Sequence, residues 1–192
     1  MISEDRIFRL DKQILTIPDF QSQGLILDIG GGGEGVIGQL KGTQVVAIDV
    51  FPTELAEAPE GPLKIIMDAR EMKFLDATFK TITAFFSLMF IHPDDHARVL
   101  QEIFRVLTPN GQFLFWDIEI PQRPEPHRDL AVFQLQVQLP STIINKGYGT
   151  PYTERPIRLE NYLQLAKQAG LKLIEQSFSG QTFFCKFHKP LR

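Results

Sequence analysis

At 192 residues, 43% hydrophobic and 22% charged, the chain has the composition of a soluble domain that can bury one sizeable core and is short for two. A formal net charge of −3 argues against a broad nucleic-acid or anionic-membrane surface. The one cysteine, Cys185, excludes an intrachain disulfide, and its apolar surroundings from Thr182 to Phe187 suit a packed core thiol.

The chain opens on Met1-Ile2-Ser3-Glu4-Asp5-Arg6, which carries early acids and no long apolar stretch, unlike a secretory signal. No run approaches transmembrane length. The expected location is cytoplasmic, with no membrane partner.

The first strongly marked element is Leu25-Ile26-Leu27-Asp28-Ile29, a buried strand that breaks into Gly30-Gly31-Gly32-Gly33-Glu34-Gly35. A short helical turn follows, then a second strand, Val45-Val46-Ala47-Ile48-Asp49. Glycine lets backbone approach a ligand and adopt angles a Cβ forbids, and an acid at the second strand tip can accept bonds from ribose hydroxyls. The pattern suits an adenosine-containing cofactor.

Apolar runs continue to alternate with helical patterns as far as Ile120, the mark of a doubly wound, mostly parallel sheet with helices on both faces. Strands are predicted over 25–29, 44–49, 64–67, 81–87 and 111–118, and a helix over 93–107. That helix places Val99, Leu100, Ile103, Phe104 and Leu107 on one face, with Pro93 in its first turn.

From 121 to 156 the composition shifts to prolines, polar residues and aromatics, and Phe133 to Leu139 alternates as a half-buried strand does. This reads as an inserted arm or lid within a single domain covering 1–192. Pairing of the 130–147 segment with a second copy, giving a homodimer, is the alternative use of such a strand. A helix over 159–169 ends on Gly170, and strands over 171–177 and 181–188 follow. Only Phe178-Ser179-Gly180 joins them, so they form an antiparallel pair.

Taken in order, these blocks resemble the class I S-adenosylmethionine-dependent methyltransferases. The resemblance is carried by Leu27-Asp28-Ile29-Gly30-Gly31-Gly32, the strand ending at Asp49, Met67-Asp68-Ala69, Phe85 to Phe90, and Glu102 to Gly111. It implies a Rossmann-like, seven-stranded sheet closed by the C-terminal antiparallel pair, and S-adenosylmethionine as cofactor. It further implies that Gly30 and Gly32 pass the methionine part and that Asp28 organises the loop and the amino group. Asp49 would accept from both ribose hydroxyls, Asp68 from the adenine amino group, the Ala69 nitrogen would donate to the ring, and Ser87 would touch the methionine end. The loop departs from the family spacing at Glu34, where a third glycine is usual; Gly33 and Gly35 flank it.

Gly30, Gly32 and Gly35 also satisfy GxGxxG, and Asp49 stands where a nicotinamide site places its ribose acid. Against an NAD(P)-dependent oxidoreductase stand the lack of room for a substrate domain, the missing Tyr-x-x-x-Lys pair and the terminal hairpin. A regulatory protein that keeps the cofactor pocket without turnover is a third reading.

Methyl transfer is an in-line displacement that positioning alone accelerates greatly, so the catalytic residues are left unassigned, with His92 and Asp117 as candidates for an acceptor-side base. His92-Pro93-Asp94-Asp95-His96 is a poor metal site because Pro93 opens the helix between the two histidines, and no metal is expected. Trp116 suits core or pocket wall. Of Asp117 and Glu119, one can face the pocket; His127, Arg128, Tyr148 and Tyr152 in the arm can recognise an acceptor. A small-molecule acceptor is expected, with no nucleic acid.

Overall fold

A computed structural model describes residues 3–122, 128–151 and 158–191. His127 and Tyr152 lie outside the described residues. Two short strands, β1 (Ile7–Arg9) and β2 (Gln13–Thr16), precede the expected elements. Then come β3 (Ile26–Ile29), α1 (Val36–Lys41), β4 (Val45–Asp49), α2 (Pro52–Glu57), β5 (Leu63–Ile66) and β6 (Phe79–Phe85). The second half holds α3 (His96–Val106), β7 (Leu107–Ile118), β8 (Leu130–Gln138), β9 (Ile143–Pro151), α4 (Leu159–Ala169), β10 (Lys172–Ser179) and β11 (Thr182–His188).

Seven strands form one sheet in the order β10-β11-β7-β6-β3-β4-β5. The strands from β7 to β5 pair in parallel, whereas β11 runs antiparallel to both β10 and β7. The antiparallel pair predicted from Phe178-Ser179-Gly180 is therefore present, with β11 inserted between β10 and β7. All four residues of β3 are buried, as a central strand with helices on both faces requires. Its Ile26, Leu27 and Ile29 pack with Ile37, Val46, Ile48, Ile82 and Phe115 in one continuous core.

α3 buries Val99, Leu100 and Ile103 of the stripe read from the sequence, together with Val106; Phe104 is half-buried, and Leu107 is the first residue of β7. Its predicted first turn is instead a 3-10 turn over Pro93–Asp95, where Pro93 can still begin the turn because it needs no N–H donor. α4 stops at Gly170, φ 100°, where the Leu171 N–H reaches the Ala166 carbonyl and the Gly170 N–H the Lys167 carbonyl. That is a Schellman closure, which glycine adopts without the Cβ penalty.

The arm is larger than the sequence suggested. β8 covers all but the last residue of the predicted alternating strand and starts three residues earlier, and 143–144 opens a nine-residue strand, β9, antiparallel to β8. On its other edge β8 pairs in parallel with β1 and then β2, so the N-terminal segment is part of this second sheet. Since β8 is paired on both sides, a second copy pairing with the 130–147 segment would have to use the outer edge of β9. No helix among the described residues is long and apolar enough to cross a membrane.

Candidate functional site

The strand order places the residues singled out from the sequence along one edge. β6, β3, β4 and β5 stand side by side, and just beyond their carboxyl ends lie Ser87, the glycine loop, Asp49 and Asp68. Open parallel sheets bind ligands at this edge. A cavity of about 630 Å³ opens there, lined by Asp28, the loop 30–35, Asp49, Asp68, Ala69, Ser87 and His92. A second wall comes from residues 146–149 of β9.

Crowding explains two of the glycines. Gly30 has φ 70°, and a Cβ there would overlap Ser87 Cβ and sit 3.2 Å from Ser87 Oγ. A Cβ on Gly32 would come within 2.6 Å of Glu54 Cβ and 3.0 Å of Asp49 Oδ2. The irregularity at Glu34 resolves simply: the left-handed conformations fall on Gly33 and Gly35, and Glu34 keeps an ordinary backbone. Gly35, φ 51°, is the residue from which α1 starts.

Asp28 faces the cavity wall yet is only 3% exposed. In-register pairing puts Thr83 beside it, and the Thr83 hydroxyl donates to Oδ1 at 2.7 Å. Burial pushes its carboxyl up to about 7, with Thr83 opposing the shift and the Asp49 charge adding to it. Asp49 accepts the Phe51 N–H at 3.0 Å through Oδ1. Asp68 is clasped by Arg70, which donates from Nη2 at 2.7 Å and from Nε at 3.0 Å, and Arg70 reaches Asp95 at 2.8 Å. That guanidinium holds Asp68 below the usual carboxylate range. Ser87 Oγ is buried and has no hydrogen-bond partner among the described residues.

The arm meets the loop at Glu34. Lys146 forms an ion pair with it, and the Tyr148 hydroxyl donates to Oε2 at 3.2 Å. Tyr148 lies against Phe86 and Phe133, with ring centroids at 5.8 and 5.5 Å. Phe86 follows β6 with φ 47°, uncommon for an aromatic residue. Thr150 Oγ1 donates to the Met89 carbonyl at 3.1 Å, anchoring the end of β9 to the turn after β6.

The two candidate bases separate. His92 stands at the cavity rim, its ring largely exposed, with Nδ1 3.6 Å from Asp94 Oδ2. Asp117 is fully buried, is absent from the cavity wall, and accepts the Met89 N–H at 3.1 Å and the Ile118 N–H at 2.9 Å. It braces the turn from behind, and burial pushes its carboxyl up to about 8. Glu119 is also spent on structure, accepting the Leu159 N–H at 3.0 Å at the start of α4. His96, buried and with its pKa lowered by desolvation, places Nε2 3.0 Å from the Leu88 and Ile91 carbonyls. Trp116 packs between Phe85 and Phe184, and Arg128 bonds the Ile7 carbonyl away from the cavity. Among the described residues no group of three His, Cys, Asp or Glu could hold a metal ion.

Arg70 and Lys146 also line the cavity, although the sequence pattern did not single them out, and so does Phe90, from the Phe85 to Phe90 block. Lys146 and Tyr148 are distant in sequence from the loop, and only the folding of the arm brings them to Glu34. Arg70, two residues after Asp68, was the one findable by spacing, as a nearby cation for that acid.

Residues 27–115 match the family model described as a methyltransferase domain. The matched segment is a little under half of the 192-residue chain. The methyltransferase GfsG of Streptomyces halstedii is 31% identical over 111 residues, covering 57% of this chain and 34% of that protein. Sterol 4-C-methyltransferase strm-1 of Caenorhabditis elegans is 33% identical over 103 residues, 48% of this chain and 30% of that one. The chain thus spans about a third of the length of these curated relatives. In fold it is similar to an S-adenosylmethionine-dependent methyltransferase from Methanosarcina mazei, with TM-score 0.62 and 18% identity over 91% of this chain and 96% of that one. A second such structure, from Mesorhizobium loti, has TM-score 0.62 and 13% identity, covering 88% and 93%.

Proposed function

We propose that the protein transfers a methyl group from S-adenosylmethionine to a small organic molecule. The observation that carries this reading is the row Ser87, Gly30 to Gly32, Asp49 and Asp68 along one rim of a single cavity. A cofactor without phosphates needs carboxylate acceptors, backbone donors and close backbone approach, and this rim offers all three. In this reading Asp49 accepts from the ribose hydroxyls, Asp68 and the Ala69 nitrogen hold the adenine, and Asp28 and Ser87 address the methionine end. The unpartnered Ser87 hydroxyl and the crowded Gly30 and Gly32 fit such a ligand.

A dinucleotide fits less well. Its diphosphate would meet the loop at the start of α1, a helix of only six residues, where Glu34 stands and Glu54 Oε2 lies 3.0 Å from the Cβ position of Gly33. Glu34 is paired with Lys146, and the Glu54 carboxylate beside it repels a diphosphate, which such loops normally bind through backbone N–H groups and the helix dipole.

When bound, the cofactor supplies an activated methyl group. The chain's part is to hold donor and acceptor in line and to exclude water, which can supply effective molarities of roughly 10⁵ M or more. The arm closes the cavity through Tyr148 and Lys146, and Asp117 and His96 fix the turn carrying Phe90 and His92. His92 is the group placed to take a proton from an acceptor that arrives protonated. One relative is named for a sterol, which agrees with a small organic acceptor. A product-mass screen with methyl-labelled cofactor and fractionated metabolites tests the reading. A labelled small molecule supports it; label found only in protein or nucleic acid refutes the acceptor class.

A further inference from the structure

Given the methyl-transfer reading, on which this inference rests, the wall opposite the cofactor edge is where an acceptor would sit. On that side the cavity is lined by the aromatic side chains Phe85, Phe86, Phe90 and Tyr148. Tyr148 stacks on Phe86 at an interplanar angle of 29° and on Phe133 at 19°, and Phe90 lies 6.3 Å from Tyr148 while remaining 51% exposed. Phe90 and Tyr148 both line the cavity, so a planar group can rest against them.

The charges on the same cavity are one-sided. Asp28, Glu34, Asp49, Glu54, Glu57, Asp68 and Asp95 line it, against two cations among the described residues, Arg70 and Lys146. Each cation is already committed. Arg70 is held by Asp68 and Asp95, and Lys146 by Glu34, with Glu57 and Glu54 adding to the field that raises its pKa. His92 faces Asp94. An anionic acceptor would have to strip a carboxylate of its partner or enter beside Asp28, Asp49, Glu54 and Glu57 with no cation of its own. Either course penalises it against a neutral molecule of the same shape.

We propose that the methyl acceptor is a planar, apolar molecule without negative charge, held against Phe90 and Tyr148, and that these two residues with the acidic rim set the specificity. Rejection of anions is the part that no glycine-loop chemistry would supply, because it comes from how the arm and Arg70 spend the cations.

The test uses the full chain saturated with S-adenosylhomocysteine and titrated calorimetrically at low salt and pH 7.5 with 2-naphthol, 2-naphthoate or cyclohexanol. The expected order is 2-naphthol tightest and 2-naphthoate at least tenfold weaker, with the gap narrowing in 0.5 M salt as roughly 4 Å screening takes hold. Phe90→Ala should weaken 2-naphthol about fivefold or more while leaving S-adenosylhomocysteine affinity unchanged, since Phe90 packs on the arm side. Glu57→Gln, an exposed change, should raise 2-naphthoate affinity relative to 2-naphthol. Binding of 2-naphthoate as tight as 2-naphthol overturns the charge rule, and failure of 2-naphthol to bind better than cyclohexanol overturns the planar slot. Absence of S-adenosylhomocysteine binding in the first step would instead overturn the methyl-transfer reading itself.

Discussion

Replacing Gly30 by alanine separates backbone strain from crowding at the site, because Gly24 provides a matched control. Both glycines have left-handed backbones, φ 70° and 73°, and nothing lies within 4 Å of a Cβ placed on Gly24. Gly24→Ala therefore incurs only the left-handed penalty of about 1–2 kcal/mol, partly offset by a less flexible unfolded chain. Gly30→Ala incurs the same penalty and also drives a methyl into Ser87 Cβ and against Oγ at 3.2 Å. Ser87 lies between the strained Phe86 and Leu88, which is fully buried, so it has little room to move. Overpacking of this kind costs a further ~1–3 kcal/mol. In a chain of 192 residues each 1 kcal/mol shifts the melting midpoint by roughly 2–4 °C. Gly30→Ala should accordingly melt several degrees below Gly24→Ala. Calorimetry should also show S-adenosylhomocysteine binding at least tenfold weaker (about 1.4 kcal/mol) in Gly30→Ala and unchanged in Gly24→Ala. Equal melting and equal affinity in the two variants would refute the close approach of loop, Ser87 and ligand.

Asp49→Ala should weaken S-adenosylhomocysteine by about 1–3 kcal/mol, the scale for losing hydrogen bonds to a charged group, and native affinity in a folded variant would remove its ribose role. Asp28, with its carboxyl pushed up to about 7, is partly protonated near neutrality, and its ionised form is the one that attracts an ammonium group. S-adenosylhomocysteine should therefore bind more tightly as pH rises from 6 to 8, with proton release seen as buffer-dependent heat; Asp28→Asn should flatten that profile. Asp117 is raised to about 8 in the fold, so folding favours its protonated form. Its contribution is complete below the unfolded value near 4 and is lost as pH rises through about 8. Asp117→Asn cannot ionise, so its melting midpoint should gain on the native protein steadily from pH 5 to pH 8. A pH-independent difference would contradict the buried, protonated assignment.

Much of the fold was legible because it depends on local pattern. The apolar run ending at Asp28-Ile29, the α3 stripe and the three residues between β10 and β11 each constrain their own element. The strand order then follows from parallel pairing, which aligns Asp28 with Thr83 and brings the ends of β3, β4 and β5 together. The N-terminal strands were not legible. Ile7–Arg9 and Gln13–Thr16 are short, and they become strands only because β8 presents an edge more than a hundred residues away. For the same reason Lys146 and Tyr148 gave no local sign of reaching Glu34. Asp117 shows the opposite limit: strand alternation allowed it to face the pocket, whereas packing buries it behind the turn and turns it to two backbone N–H groups.

Everything proposed for this chain depends on the rim of Ser87, Gly30, Asp49 and Asp68 binding S-adenosylmethionine. Titration calorimetry of the full chain with S-adenosylmethionine, S-adenosylhomocysteine and NAD addresses that point directly. One saturable site is expected for the two sulfur compounds, lost or greatly weakened in Asp49→Ala, with no comparable binding of NAD. Binding of NAD with none of either sulfur compound at high concentration would contradict it.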